Sequence, residues 1–429
     1  MSAILAQPSR PLTVLMVSDV YFPRINGVST SIETFRRALA PQGVTVRLVV
    51  PDYGAETALE NEHQADIRRV PGRPVPRDPE DRLMAWTALR RVVAAAAEGV
   101  DLIHLQTPFL AHYAGLAEAR RRRLPVLTTY HTLFEEYLHH YAPFLPGSLL
   151  RGLARRLSRH QCNGVDEVVV PSHAMAERLS GYGVTAPMTV LPTGIPMARF
   201  ADSGEGEARS TARRRFRQAH GIAEERPVAL FVGRVAFEKN IAFLLEAHAL
   251  ARRHLPDLLL LVTGEGPARA TLERQAARLG LGESVRFLGY LERERALPDC
   301  YAAADAFVFA SHTETQGLVL LEALVAGLPV VALAEMGTRD ILLDRHGQPM
   351  PGCVVPRAEV ADFALRLADL LASLRHDPHV RPRLSRAARG TAAAWSDVAL
   401  ATRLAECYRA HCNPDPVPAL LRPMAQGRA

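Results

Sequence analysis

The chain contains no C-x-x-C pair, and its five cysteines (Cys162, Cys300, Cys353, Cys407 and Cys412) show no cluster with histidines. That argues against a disulfide scaffold and against a zinc site, and favours a reducing compartment. No apolar run is clean enough to span a membrane. The longest, 318–333, is interrupted by Glu322, Gly327 and Pro329 and reads as a buried helix followed by a strand. The early apolar run 12–17 is short and ends in Ser18-Asp19, which is not the plan of a signal peptide. These absences predict a cytoplasmic protein, at most peripheral on the inner face of the cell membrane. Short-period repeats are missing. So is G-x-G-x-x-G, which gives no indication of a dinucleotide cofactor. With aromatics at 6%, no interleaved aromatic platform or recognition motif points to nucleic acid.

What is present describes an ordinary globular protein: 429 residues, 48% hydrophobic and 22% charged, long enough for two or three domains. The net charge is +6 with a pI near 9.3. That excess favours an anionic partner such as a nucleotide phosphate, an acidic lipid or a nucleic acid, and a solubility surface accounts for it equally well.

Short apolar runs bounded by turn residues recur at 12–17, 44–50, 102–105, 126–130 and 165–170, with helical spacing between them at 29–40 and 80–98. A charged, poorly apolar segment, 202–226, then separates them from a second series at 228–233, 258–264, 285–289, 306–310 and 329–334. Fully apolar short strands alternating with helices mean parallel strands buried on both faces. Two such series predict an α/β protein of two doubly wound, Rossmann-like domains, ending in a helical segment of about 387–411 and a Pro-rich tail. In such sheets ligands sit beyond the carboxyl ends of the strands, so those loops are where chemistry is sought.

After the first strand, Pro23-Arg24-Ile25-Asn26-Gly27-Val28 reads as a loop, with Ser29-Thr30-Ser31 as capping residues of a helix. Gly27 allows close backbone approach to an anion, or is a plain turn glycine. His131 follows the strand at 126–130, either aimed into a cleft or hydrogen-bonded in the core. Gly233, Arg234 and Lys239 follow the first strand of the second series. A guanidinium fork and an ammonium point charge five residues apart can grip a diphosphate without a metal; solvated surface charge is the alternative. Gly264, Gly266 and Pro267 resemble a close-packed turn. SHTETQGLVLLEA, 311–323, is a polar loop running into a helix from about Gly317. The amides of Gln316, Gly317 and Leu318 would face an anion or sugar oxygens, with Glu314 outside the helix and Glu322 about one turn inside it. A buried Glu322 needs a ligand or cation to meet it, because burying the charge alone costs several kcal/mol.

Together these residues resemble the retaining glycosyltransferases of family 4, which have the GT-B fold of two facing Rossmann-like domains. The resemblance rests on E-x7-E (Glu314, Glu322), G-R-x4-K (Gly233, Arg234, Lys239), G-x-G-P (Gly264, Gly266, Pro267), LPTGI (191–195) and HTETQGLVLLEALVAGLPVVA. It implies an acceptor domain of 1–195, a donor domain of 196–399, a helix crossing back at about 400–415 and a tail, 413–429. It also implies a nucleotide-diphosphate sugar as donor, retention at the anomeric carbon and no metal. Arg234 and Lys239 would hold the diphosphate, Glu314 would position the sugar, Glu322 would bind ribose hydroxyls and His131 would contact the transferred sugar. Gly27, Thr193, Gly233, Gly264, Gly266, Gln316, Gly317 and Leu318 complete the implied donor site. Many relatives carry two adjacent glycines where this chain has Asn26-Gly27.

TYHTLFEEYLHHYAPFLP and TETQGLVLLEA resemble the subgroup that glucosylates diacylglycerol, which implies UDP-glucose as donor and a membrane lipid as acceptor. A GDP-mannose- or UDP-sugar-dependent transferase acting on phosphoinositide or polysaccharide, and an inactive sugar-nucleotide-binding partner protein, are the alternatives. Residues 147–160 put Leu149, Leu150, Leu153 and Leu157 on one helical face, with Arg151, Arg155, Arg156 and Arg159 over much of the rest. That suits an anionic membrane surface, or equally a core helix with a charged solvent face. The run of four arginines at 120–123 adds basic charge.

Overall fold

A computed structural model describes residues 10–54, 66–75, 78–131, 147–197, 200 and 206–412. In chain order the first strands are β1 (Leu12–Val17), β2 (Val44–Pro51), β3 (Ile67–Val70), a hairpin of β4 (Gly72–Val75) and β5 (Asp78–Met84), β6 (Leu102–Leu105), β7 (Val126–Thr129), β8 (Glu167–Val170) and β9 (Met188–Val190). Seven of them form a sheet in the order β3-β2-β1-β6-β7-β8-β9. β1 lies parallel to β2 with Leu12 opposite Val44, and to β6 with Val14 opposite Leu102.

The second sheet is built from β10 (Val228–Val232), β11 (Leu259–Thr263), β12 (Val285–Gly289), β13 (Ala306–Phe309), β14 (Val330–Ala332) and β15 (Cys353–Val354). Its order is β12-β11-β10-β13-β14-β15, with every pair parallel. β10, β11, β13 and β14 are buried along their whole length, as expected where helices cover both faces. Phe231 and Phe309 stack at 5.9 Å within this core.

The chain divides into two compact units, one of residues 1–130, 161–168 and 401–429 and the other of 131–160 and 169–400. The helix Asp397–Cys412 starts in the second unit and ends in the first. Within the first unit it is fastened by Tyr408, whose hydroxyl lies 2.6 Å from Nδ1 of His104, and by Arg409, which donates to the Gln42 carbonyl.

Three expectations are corrected. The spacing at 80–98 is not one helix: Asp78–Met84 pairs with Gly72–Val75, and helix begins only at Trp86. A partner strand overrides local periodicity there. The terminal segment is two helices, Val380–Ala393 and Asp397–Cys412. Between them Ile195 donates to the Trp395 carbonyl, and Gly194 lies so close that a Cβ would stand 2.3 Å from the Asp397 Cα.

The charged segment 202–226 contains a packed helix, Gly206–Ala219. Its Arg217 is 1% exposed and donates to the carbonyls of Ala223, Glu224, Arg226 and Ala303 and to the Asp305 carboxylate. Asp305 also meets Arg213 at 3.1 Å and Arg381 at 2.8 Å. An arginine whose donors are all met can be core, and composition alone does not reveal that.

Candidate donor site

The loop after β10 carries Arg234 and Lys239, and its seat is made by glycines. Gly264 has φ +121°, and a Cβ there would stand 1.9 Å from the Gly233 carbonyl oxygen. At Gly266 a Cβ would stand 2.3 Å from the Val235 carbonyl oxygen. The two strand-end loops therefore lie backbone to backbone, joined by Gly233 N to Thr263 O at 3.0 Å and Val235 N to Glu265 O at 2.9 Å. Gly264 and Gly266 thus shape the loop that presents Arg234.

Arg234 is exposed, and its guanidinium has no hydrogen-bond or ion-pair partner among the described residues. Lys239 ends a short turn, Phe237–Lys239, and pairs with Glu314 of the loop after β13. These loops are joined further by Ser311 Oγ donating to Glu238 O at 3.3 Å and Asn240 Nδ2 to Ala310 O at 3.2 Å. Lys239 is the only lysine in the chain; every other basic side chain counted in the net charge is arginine. That signal was available in the sequence and sets this position apart. An ammonium offers a compact point charge where a guanidinium would impose a planar fork.

Gly317, at φ +97°, turns the chain into the helix Leu318–Val325. The amides of Gln316, Gly317 and Leu318 donate to no acceptor among the described residues. These are the orphan donors of a helix start, with the positive end of its dipole. The Gln316 side chain is committed elsewhere. Its Oε1 accepts from Thr193 N at 2.8 Å, and its Nε2 donates to Thr193 O at 2.7 Å. Thr193 is therefore held by this loop through its peptide groups.

Thr315 Oγ1 donates to the His131 carbonyl at 3.0 Å, which brings His131 to the residue next to Glu314. Burial pushes the half-buried His131 imidazole down to about 4, so it is uncharged at neutral pH. Behind the loop, Gly337 N donates to Glu314 O at 2.9 Å, and a Cβ on Gly337 would stand 2.1 Å from Thr315 O. Glu322 is 6% exposed, accepts from Tyr301 Oη at 2.8 Å and faces Arg293 at 3.5 Å. The cation required by its burial is thus present. Arg293, Tyr301 and Gly337 were not identified from the sequence, because each acts through a fold-dependent neighbour.

Gly27 lies in the first unit and is the first residue of its helix. The helix cap is Asn26, which accepts from Ser29 N at 2.9 Å, and not one of Ser29-Thr30-Ser31 as expected. A Cβ on Gly27 would meet nothing within 4 Å. Asp19 follows β1 and accepts from Thr107 Oγ1 at 2.7 Å and Ala111 N at 3.1 Å. Burial outweighs these hydrogen bonds and raises it to about 6.

On the helix Gly147–Cys162 the expected apolar stripe is divided. Leu150 is buried and Leu157 half-buried, whereas Leu153 is 53% exposed among the exposed Arg151, Arg155, Arg156 and Arg159. The side chain of Leu149 and the residues 132–146 lie outside the described residues, as does the tail 413–429. Of the arginines at 120–123, Arg121 and Arg122 pair with Glu118. All five cysteines are free. The expectation that none clusters with histidine is corrected by Cys407, His411 and Glu167, whose ligand atoms lie within 4.8 Å of one another.

Two family models match the chain: "Glycosyltransferase Family 4" over residues 25–199 and "Glycosyl transferases group 1" over 212–390. The alpha-monoglucosyldiacylglycerol synthase of Streptococcus pneumoniae is 33% identical over 333 residues, covering 77% of this chain and 73% of the relative. A GDP-mannose-dependent alpha-mannosyltransferase of Mycobacterium tuberculosis is 30% identical over 380 residues, covering 88% and 90%. HepE of Anabaena, solved with UDP and glucose, shares the fold with a TM-score of 0.71 at 19% identity, covering 92% of this chain and 99% of that one. With two Rossmann-like sheets and these matches along both halves, the chain belongs to the group 1, family 4 glycosyltransferases of the GT-B fold and is a sugar-transferring enzyme.

Proposed function

We propose that the enzyme transfers glucose from UDP-glucose to a membrane lipid such as diacylglycerol, with retention of the anomeric configuration and without a metal at the reacting centre. The observation that carries the donor half is the pairing of the sole lysine, Lys239, with Glu314, five residues after an exposed and unpartnered Arg234. Cleaving the sugar–phosphate bond builds negative charge on the departing diphosphate. Arg234 and Lys239 meet that charge, and the amides of Gln316, Gly317 and Leu318 add oriented dipoles. Preorganised donors of this kind are worth about 3–4 kcal/mol each, or roughly a hundred- to a thousandfold in rate.

In this reading Lys239 exchanges one anion for another as donor binds, which leaves the Glu314 carboxylate to accept from hydroxyls of the sugar. His131, uncharged and tethered to Thr315, hydrogen-bonds to the transferred sugar and supplies no charge. Glu322, steadied by Tyr301 and Arg293, accepts from the ribose hydroxyls. The lipid acceptor is supported by the S. pneumoniae relative's name, and by Leu153 standing out among four arginines on one helix. A GDP-mannose donor is the second reading, supported by the M. tuberculosis relative.

The test presents the full chain with UDP-glucose or GDP-mannose, and with diacylglycerol in anionic vesicles or a soluble glycan. Appearance of an α-linked glucolipid only with UDP-glucose and vesicles supports the proposal. Donor consumption only with the soluble glycan removes the lipid assignment, and turnover only with GDP-mannose replaces the donor.

A further inference from the structure

Cys407 and His411 lie four residues apart on the helix Asp397–Cys412, so both face one side, one turn apart. On that side stands Glu167, the first residue of β8. Cys407 Sγ is 3.3 Å from Glu167 Oε2, and His411 Nε2 is 3.4 Å from the same oxygen. A tetrahedral zinc ion with bonds of about 2.0–2.3 Å holds its sulfur, nitrogen and oxygen ligands roughly 3.4–3.6 Å apart. Both distances to Glu167 thus match that spacing within a few tenths of an ångström, and all three ligand atoms lie within 4.8 Å of one another.

The histidine's orientation points the same way. His411 Nδ1 lies 3.0 Å from the Cys407 carbonyl oxygen. A carbonyl only accepts, so Nδ1 carries a hydrogen, which leaves Nε2 as the nitrogen facing the Glu167 carboxylate. A proton or a metal ion can stand between these two atoms, 3.4 Å apart. A ring N–H donated to a main-chain carbonyl is also the support that orients histidine ligands on metals. His411 is 22% and Glu167 12% exposed at the side chain, so an ion can enter from solvent.

We propose that Glu167, Cys407 and His411 bind a zinc-class divalent cation, with water in the fourth position. Thiolate, imidazole and carboxylate together suit Zn2+ and its spectroscopic stand-in Co2+. On binding, the Cys407 S–H bond breaks, its proton passes to solvent and a metal–sulfur bond forms, and any proton on His411 Nε2 is displaced to solvent as well. All three ligands belong to the first unit, and none is among the donor-site residues. The ion therefore fastens the returning C-terminal helix to β8. It takes no part in sugar transfer, and the proposal stands or falls independently of donor and acceptor.

The full-length protein is stripped with chelator, given Zn2+ or Co2+, freed of excess and assayed for bound metal. One ion per chain is expected, with a thiolate-to-cobalt charge-transfer band in the Co2+ form and several degrees' rise in melting temperature with Zn2+. Cys407→Ser and His411→Gln should each lose the ion and the rise, while melting like the metal-free wild type. Zinc should also protect one wild-type thiol from alkylation, a readout that needs no variant. The proposal is overturned if the wild type retains no ion, if both variants retain it equally, or if Co2+ binds without the thiolate band.

Discussion

Replacing Gly264 by alanine adds one methyl group, yet the structure assigns it a large effect. The new Cβ would stand 1.9 Å from the Gly233 carbonyl oxygen, where contacts under 3.0 Å do not survive, and the backbone there has φ +121°. The Gly233–Val235 loop must therefore retreat by roughly 1 Å, which is enough to cost about a hundredfold in rate when it carries a catalytic group. The unfavourable dihedral adds on the order of 1–3 kcal/mol of strain. In a unit of this size that lowers the melting temperature by roughly 2–6 °C. Thermal melting and circular dichroism establish the folded state of the variant. Calorimetric titration with UDP-glucose and initial rates then report on the site. A folded Gly264→Ala enzyme with wild-type donor affinity and turnover would refute the claim that Gly264 positions Arg234.

Gly27→Ala should behave in the opposite way, because a Cβ there meets nothing within 4 Å. Its melting temperature should be unchanged while donor KM rises if this backbone approaches the phosphate; an unchanged KM assigns Gly27 to the turn alone. Arg217→Met leaves Asp305 short of a buried partner and strips four carbonyls of a donor. A loss of about 3–5 kcal/mol is expected in denaturant unfolding, and a loss below ~1 kcal/mol would contradict the network. Burial and then Arg252 hold His248 down at about 4. The folded protein therefore binds fewer protons than the unfolded chain below the ordinary value of 6.5. Stability is full above about pH 6.5 and falls as pH drops toward 4, and His248→Gln should flatten that slope. An identical pH profile in the variant would remove His248 as its source.

The sheets were legible because parallel strands buried on both faces must be apolar along their length, as VALFV in β10 and AFVF in β13 are. What escaped notice depends on partners remote in sequence. Asp78–Met84 follows its hairpin neighbour, and Arg217 is core only because Asp305 and four carbonyls surround it. At the proposed donor site, strand ends and helix starts pointed to Arg234, Lys239 and Glu314 as candidates without knowledge of the fold. Tyr301 and Arg293 became visible only as the partners of Glu322. Cys407 and His411 had a legible four-residue spacing, but the third member, Glu167, stands 240 residues from Cys407.

Because Lys239 is the only lysine, the central claim can be read from one side chain. Reductive methylation with 13C-formaldehyde keeps the ammonium charge and gives a single side-chain resonance, separate from that of the terminal amine. On titration with UDP-glucose this resonance should shift saturably as Lys239 leaves Glu314 for the diphosphate, and Arg234→Ala should weaken the titration at least about tenfold. Donor binding detected by calorimetry with a stationary Lys239 signal would contradict the account.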